Sequence, residues 1–294
     1  MKKILLSSLA LLALAFSSCD DNNKNDWPTD SVNIQTSSSA VLIPLSANDE
    51  PVFLTDYTLR YSQSMNDGKV SVRSMKAITL PDGTAFSFES PATGITGNQF
   101  TTIVEPMPFT DKDGLTLRMH ARLTSQYYAY NKSTGKIDNI NQVPISVMTL
   151  NIGSSYVLKT IQNEMAFAGK TTTLINGENP YTNAGIVYQL NLDIANGKAS
   201  VTIYNAKFAE AAPNIRILRL RNLALKADRS SGYTVTGTDI TPEVLEGSEW
   251  VPNQRFTFNE FRLVPTSDNL SIASINYRVA GIYSGTCVGT YIVQ

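Results

Sequence analysis

Residues 186 to 203 read Ile186-Val187-Tyr188-Gln189-Leu190-Asn191-Leu192-Asp193-Ile194-Ala195-Asn196-Gly197-Lys198-Ala199-Ser200-Val201-Thr202-Ile203. Ile186, Tyr188, Leu190, Leu192 and Ile194 recur at every second position, as a strand with one buried face requires. Asn196-Gly197 then supplies the residue pair that most readily adopts the positive φ of a tight turn. Ala199, Val201 and Ile203 resume the alternation on the way back. The stretch predicts a β-hairpin with its apolar set on one core.

Outward from it, the chain from Val41 onward is built of short runs rich in Val, Ile, Thr, Tyr and Phe. They are punctuated by Asn66-Asp67-Gly68, Pro81-Asp82-Gly83 and Lys112-Asp113-Gly114. This is an all-β pattern. The best helix candidate, Ser154 to Ala166, is short and lacks a capped 3.6-residue period.

The hairpin has a counterpart. At an offset of 129, Leu45 to Val72 lies over Leu174 to Val201 with six identities in 28 positions, among them Gly68 on Gly197 and Lys69 on Lys198. Leu59, Tyr61, Gln63 and Met65 fall on Tyr188, Leu190, Leu192 and Ile194, in the same phase and entering the same kind of turn. The expectation is two tandem related antiparallel β-barrel or β-sandwich domains, residues 32–151 and 152–294, the second a repeat of the first.

The N-terminus reads as an address. Met1-Lys2-Lys3 is a basic start, and Ile4 to Phe16 is an apolar stretch too short to span a bilayer. Phe16-Ser17-Ser18-Cys19 resembles the lipobox of bacterial lipoproteins, which implies removal of residues 1–18 and lipidation of Cys19. Phe16 departs from the aliphatic residue usual there. Residues 19–31 form a polar tether. Its Asp20 and Asp21 resemble the surface-export signal of Bacteroidetes-type lipoproteins, so the expected location is the outer membrane, lipid-anchored and surface-exposed, with a periplasm-facing lipoprotein as the alternative. Removing residues 1–18 leaves 276 residues with 22 basic against 25 acidic side chains.

The stretch Asn196 to Phe208, with Pro213 and Ser231-Gly232-Tyr233-Thr234, is similar to segments of lipocalin-like, or calycin-like, β-barrel lipoproteins of Bacteroidetes, a largely uncharacterised group. The resemblance implies small antiparallel barrels whose interior is either filled or encloses a ligand. It carries no catalytic motif.

Charge and composition exclude several classes. The formal charge of −1, one His and two Cys in 294 residues leave no basic nucleic-acid footprint, no disulfide scaffold and no multi-His metal site. With Cys19 acylated, Cys287 has no partner in the chain and reads as a buried thiol. Gly285-Thr286-Cys287-Val288-Gly289 has the spacing of a nucleophile elbow, but only five residues follow it, so the acid and His of a triad have no place. No cofactor is called for.

Two groups remain as binding candidates, and a third segment reads as a structural feature. Arg118, His120 and Arg122 alternate with Leu117, Met119, Ala121 and Leu123, which makes either an anion-binding stripe or a solvated face that discourages edge pairing. Tyr127, Tyr128, Tyr130 and Trp250, the last beside Asn253, Gln254 and Arg255, have the composition of a sugar-stacking surface. Arg216, Arg219 and Arg221 interleave with apolar residues on both faces, which implies a bulge, a face against another domain, or contact with anionic lipid headgroups.

Together these describe a membrane-anchored binding lipoprotein without catalysis. Its ligand would be a lipid, another small apolar molecule or a glycan, and not nucleic acid. A structural or adhesive surface subunit is the alternative, a hydrolase the third reading.

Overall fold

The computed structural model describes residues 31–292 except 65–69, 90–94, 99–100, 111–115, 125, 132–135, 143–144, 213–215 and 267–271. In the strands within 31–38, 56–72, 95–148 and 291–292 it describes the backbone alone. Cys19, Met65 and Gly68 lie outside the described residues.

The first sheet is built from β1 (Ser31–Pro44), β2 (Val52–Ser64), β3 (Val70–Ser74), β6 (Ile95–Asn98), β7 (Thr101–Thr110), β8 (Thr116–Thr124), β11 (Ile145–Ile152) and β12 (Tyr156–Ile161). Two small hairpins interrupt it, β4 (Ile78–Thr79) with β5 (Ala85–Phe86), and β9 (Gln126–Asn131) with β10 (Lys136–Gln142). Its strands run in the order β3-β2-β1-β12-β11-β8-β7-β6.

The second sheet contains β13 (Glu164–Ile175), β14 (Glu178–Asp193), β15 (Lys198–Ala206), β16 (Arg216–Asp228), β17 (Gly232–Ile240), β20 (Phe258–Pro265), β21 (Ile272–Val279) and β22 (Tyr283–Ile292). Their order is β15-β14-β13-β22-β21-β20-β17-β16, and β15 also pairs with β16 through Val201↔Leu220 and Ile203↔Leu218. That last pairing closes an eight-stranded antiparallel barrel and removes both sheet edges. One extra hairpin, β18 (Glu243–Glu246) and β19 (Glu249–Pro252), hangs on the outer part of β16.

The two sheets share one strand order, and the correspondence extends to register. Adding 129 to each member of the β2/β3 pair Leu59↔Ser74 gives Tyr188↔Ile203, a pair of β14/β15. Adding 127 to Leu150↔Leu158 of β11/β12 gives Tyr277↔Gly285 of β21/β22. β12 pairs with β1 and β11 of the first sheet, so the chain passes between sheets at Gln162-Asn163, beyond the point near residue 151 expected from the sequence. The helix candidate Ser154 to Ala166 is strand, covering β12 and the start of β13.

The deciding hairpin forms as expected, with Ile186, Tyr188, Leu190, Leu192, Ala199, Val201 and Ile203 all buried. Its turn is a single 3-10 turn over Ile194–Asn196, capped by the Asp193 side chain and closed by Gly197 at φ 59°, where glycine carries no steric penalty.

Side chains fill the interior of the barrel. Phe167, Tyr188, Tyr233, Phe258 and Phe261 are all fully buried. The buried hydroxyls find partners, as they must in a medium without water: Tyr188 shares a hydrogen bond of 3.0 Å with Thr171, Tyr277 one of 3.4 Å with Thr173, and Tyr233 faces Met165 Sδ at 3.7 Å. Burial raises the pKa of Tyr188 and Tyr233 well above the phenol range and pushes Tyr277 up to about 12, so all three stay neutral donors. Cys287 is free and buried, its thiol also pushed up by burial. One end is plugged by Phe208, whose ring packs 5.7–6.1 Å from Phe256, Phe258, Tyr277 and Tyr283.

Apolar residues of the first sheet join this core: Val41, Ile43 and Ile161 belong to the same cluster, with Phe53 and Val157 packed against it. Arg229, in the β16–β17 turn, donates to the backbone carbonyls of Pro44 and Asp49. That turn is held by Asp228 Oδ1, which accepts from the amides of Ser230 and Ser231 at 3.0 and 2.7 Å and from their hydroxyls at 2.8 and 2.6 Å. The Ser231 hydroxyl, ahead of the opposing effect of burial and with help from the other donors, lowers the Asp228 pKa to about 2. A carboxylate whose pKa falls on folding adds stability that is full above its unfolded value, near 3.8, and is lost as pH drops through about 2. Asp228→Asn should therefore cost about 1 kcal/mol at neutral pH, the usual worth of a charged turn cap. Urea denaturation of the variant between pH 4.5 and 2 should show a shallower fall in stability than the parent.

Candidate functional site

A cluster of interlocked charged side chains lies on the outside of the second barrel, where β18 and β19 meet β16. The alternation Leu218, Arg219, Leu220, Arg221 points both leucines into the core and both arginines outward. A bulge follows. Val201 pairs with Leu220 and Ala199 with Leu223, so Arg221 and Asn222 together face Ser200. Asn222 takes φ 56°, and the extra residue resets the phase so that Leu223 and Leu225 turn inward again. The bulge is the outcome the Arg/Leu interleaving implies.

Glu243 faces this ridge from β18 as the register partner of Arg219. Its Oε2 accepts from Arg219 Nε at 2.6 Å, lies 2.6 Å from Arg219 NH2 and 3.0 Å from Arg221 Nε. The Arg219 guanidinium also lies 4.1 Å over the Trp250 ring, an attraction worth about 0.5–2 kcal/mol according to its desolvation. With 21% of its side chain exposed against 53% for Arg221, Arg219 is a fixed part of the surface and Arg221 the accessible one. Clefts open on both sides of the ridge: one of about 360 Å³ toward Asn191, Asp193, Lys198 and Ser200, one of about 390 Å³ toward Asp239, Thr241 and Pro252.

The other sequence candidates distribute differently. Trp250 contributes to this surface, but its ring partner is Arg219 and not Arg255, which stands exposed in the 3-10 turn Gln254–Phe256. Asn253 caps that turn, its side chain accepting from Arg255 N at 3.1 Å. Tyr127, Tyr128 and Tyr130 lie on β9, in a separate two-stranded ladder, and their side chains are outside the described residues. So are those of Arg118, His120 and Arg122. The backbone places these on β8, paired on both sides by β7 and β11. A strand paired on both sides has no edge to protect, so the edge-protection part of the solvated-face reading is corrected. Gly285 to Gly289 run through the middle of β22, as the rejection of the nucleophile elbow requires. Among the described residues no three His, Cys, Asp or Glu gather where they could hold a metal ion.

What sequence reading missed is Glu243. A Glu in a four-residue strand carries no pattern, and only the pairing of β18 with β16 brings it between two arginines.

No family model matches the chain, and no curated protein does. Among solved structures it is similar to transferrin binding protein B, in a double mutant from Haemophilus parasuis (7% identity, TM-score 0.26), in the intact N- and C-lobe structure of Ap-TbpB (8%, 0.27) and in isotype 1 from serogroup B Neisseria meningitidis (8%, 0.25). Each comparison covers 90% of this chain and 76–77% of the other.

Proposed function

We propose that this chain is a lipid-anchored, surface-exposed binding lipoprotein with two tandem β modules, and that it recognises a glycan on the outside of its second barrel without breaking bonds. The observation that carries this reading is a contrast. The barrel interior is packed with aromatic rings, which leaves a lipid or other apolar molecule little room there. The outward Arg219-Glu243-Arg221 cluster is preordered, lies against Trp250 and is flanked by two open clefts. Such pre-positioned polar groups beside an aromatic face suit hydroxyl-rich ligands. The shared strand order and register of the two sheets support a duplication, with the module change at Gln162-Asn163.

The test uses the mature chain carrying Cys19→Ser on an array of bacterial, plant and host polysaccharides. Capture of one glycan class is expected, weakened about tenfold by Trp250→Ala because Arg219 loses its support. No captured glycan together with concentration-dependent self-association would favour the assembly-subunit reading instead. Release of reducing ends from a captured glycan would overturn the absence of catalysis.

A further inference from the structure

Resting on that reading, we infer that the cleft on the Lys198 side of the Arg221–Asn222 bulge is an anion subsite that takes the carboxylate of an acidic saccharide. The inference comes from asking which hydrogen-bonding capacity around the ridge is already used. Glu243 is spent on Arg219 and Arg221. Asp193, the one carboxylate lining the Lys198-side cleft, accepts from Asn196 with both oxygens, at 3.3 Å from its amide and 2.7 Å from its side chain. Its register partner is Lys198.

What remains is donors. Arg221 lies 3.0 Å from Glu243 through Nε, and its terminal nitrogens make no hydrogen bond among the described residues. Lys198, Ser200 and Asn222 line the same cleft. Arg219 closes one wall, so Lys198, Arg219 and Arg221 stand against Asp193 in the cleft and Glu243 beside it, an excess of one positive charge. A guanidinium held at Nε and free at its ends offers the parallel N–H pair that a carboxylate matches. The bulge gives the arrangement its direction: without the extra residue, Arg221 and Asn222 could not both face Ser200. On the far side of the ridge, Asp239 and Thr241 line the second cleft and are suited to the hydroxyls of the same ring or the next.

The experiment follows backbone amide resonances of the mature Cys19→Ser chain at constant ionic strength while sodium glucuronate, glucose or sodium sulfate is added. Glucuronate should produce saturable shifts at Lys198, Ser200, Arg221 and Asn222, sulfate should compete for the same residues more weakly, and glucose at equal concentration should leave them unmoved. Arg221→Ala should weaken glucuronate about tenfold or more, the loss expected for a charge-assisted bidentate contact. It should keep the fold, because Glu243 retains Arg219. Lys198→Ala, on an exposed side chain, should weaken it about threefold and serves if the arginine variant loses stability. Absence of shifts at these four residues, or equal shifts in Arg221→Ala, overturns the inference. Glucose binding as tightly as glucuronate overturns the carboxylate preference and leaves the glycan reading standing. Sulfate binding without glucuronate binding overturns both.

Discussion

Gly285→Ala should destabilise the second barrel by about 3 kcal/mol or more, a loss that will show as a fall of several degrees in its melting temperature. Gly285 sits on β22 opposite Tyr277 of β21. A Cβ built on its backbone would lie 2.0 Å from Tyr277 Cζ, 2.2 Å from Cε2 and 2.5 Å from the hydroxyl oxygen. Real atoms do not approach so closely, so something must move. The ring has nowhere to go: Tyr277 is buried, shares a hydrogen bond with Thr173 and packs 5.7 Å from both Phe208 and Phe258. Displacing it disturbs the aromatic plug at the barrel's end as well as the wall. Gly185→Ala is the control, since the nearest atom to a Cβ there is 3.9 Å away, and it should change stability by less than about 0.5 kcal/mol. If the contact with the ring is the cause, Gly285→Ala combined with Tyr277→Ala should cost less than the two changes added together. Additive losses, or a neutral Gly285→Ala, would show that the wall yields where its packing says it cannot.

That glycine also marks how far sequence reading reached. Alternation identified the strands wherever one face is apolar and the other polar, as at Ile186 to Ile203. At 215–221 apolar and cationic residues read as mixed on both faces, and only the structure turns Leu218 and Leu220 inward against Arg219 and Arg221. Alternation does not say whether an inward face encloses space. Tyr188, Tyr233 and Tyr277 are amphipathic and would suit a wet cavity as well as a packed one. Only the placement of Thr171, Thr173 and Met165 against their hydroxyls shows a filled core. The stretch at Ser154 to Ala166 failed as a helix because it joins the last strand of one sheet to the first of the next. β12 is buried over its last four residues, Leu158 to Ile161, and a run buried on both faces loses the period that identifies a strand. The proposed duplication leaves a trace in the sequence of β2 and β3 because Gly and Lys recur at the turn signal between them. In β11 and β12 the register is kept, but Leu150↔Leu158 stands where Tyr277↔Gly285 stands in the second sheet, an exchange of two medium side chains for one large and one absent that leaves no identity to find. Of the candidate site, Trp250 was legible as a binding residue; Arg219 and Arg221 were legible only as a bulge or a domain face, and the Glu that orders them was not legible at all.

Cys19→Ser should move the protein from the membrane fraction to the soluble fraction almost completely while leaving its fold unchanged. The resemblance of Phe16-Ser17-Ser18-Cys19 to a lipobox implies a diacylglyceryl group on the sulfur, as proposed above. Each buried methylene of an acyl chain contributes about 0.8 kcal/mol, and two or more chains hold a protein on a membrane where a single one does not. Serine offers no sulfur for the thioether, so the whole anchor is lost in one substitution. The fold should not notice, because residues 20–26 are polar and amide- or acid-rich and have no apolar side chain to contribute to a core. Fully extended, Asp20 to Asp30 would span roughly 35–40 Å, enough to hold the barrels clear of lipid headgroups and their clefts open to a polymer. The same tether carries the test of sidedness: with Cys19 intact, Asp20→Ala with Asp21→Ala should keep the protein in the membrane fraction but abolish its labelling by a membrane-impermeant reagent on intact cells. Labelling that persists would place the export signal elsewhere. Cys19→Ser protein that still sediments after an alkaline carbonate wash would overturn the anchor itself, and with it the argument that the outer barrel surface faces a ligand beyond the membrane.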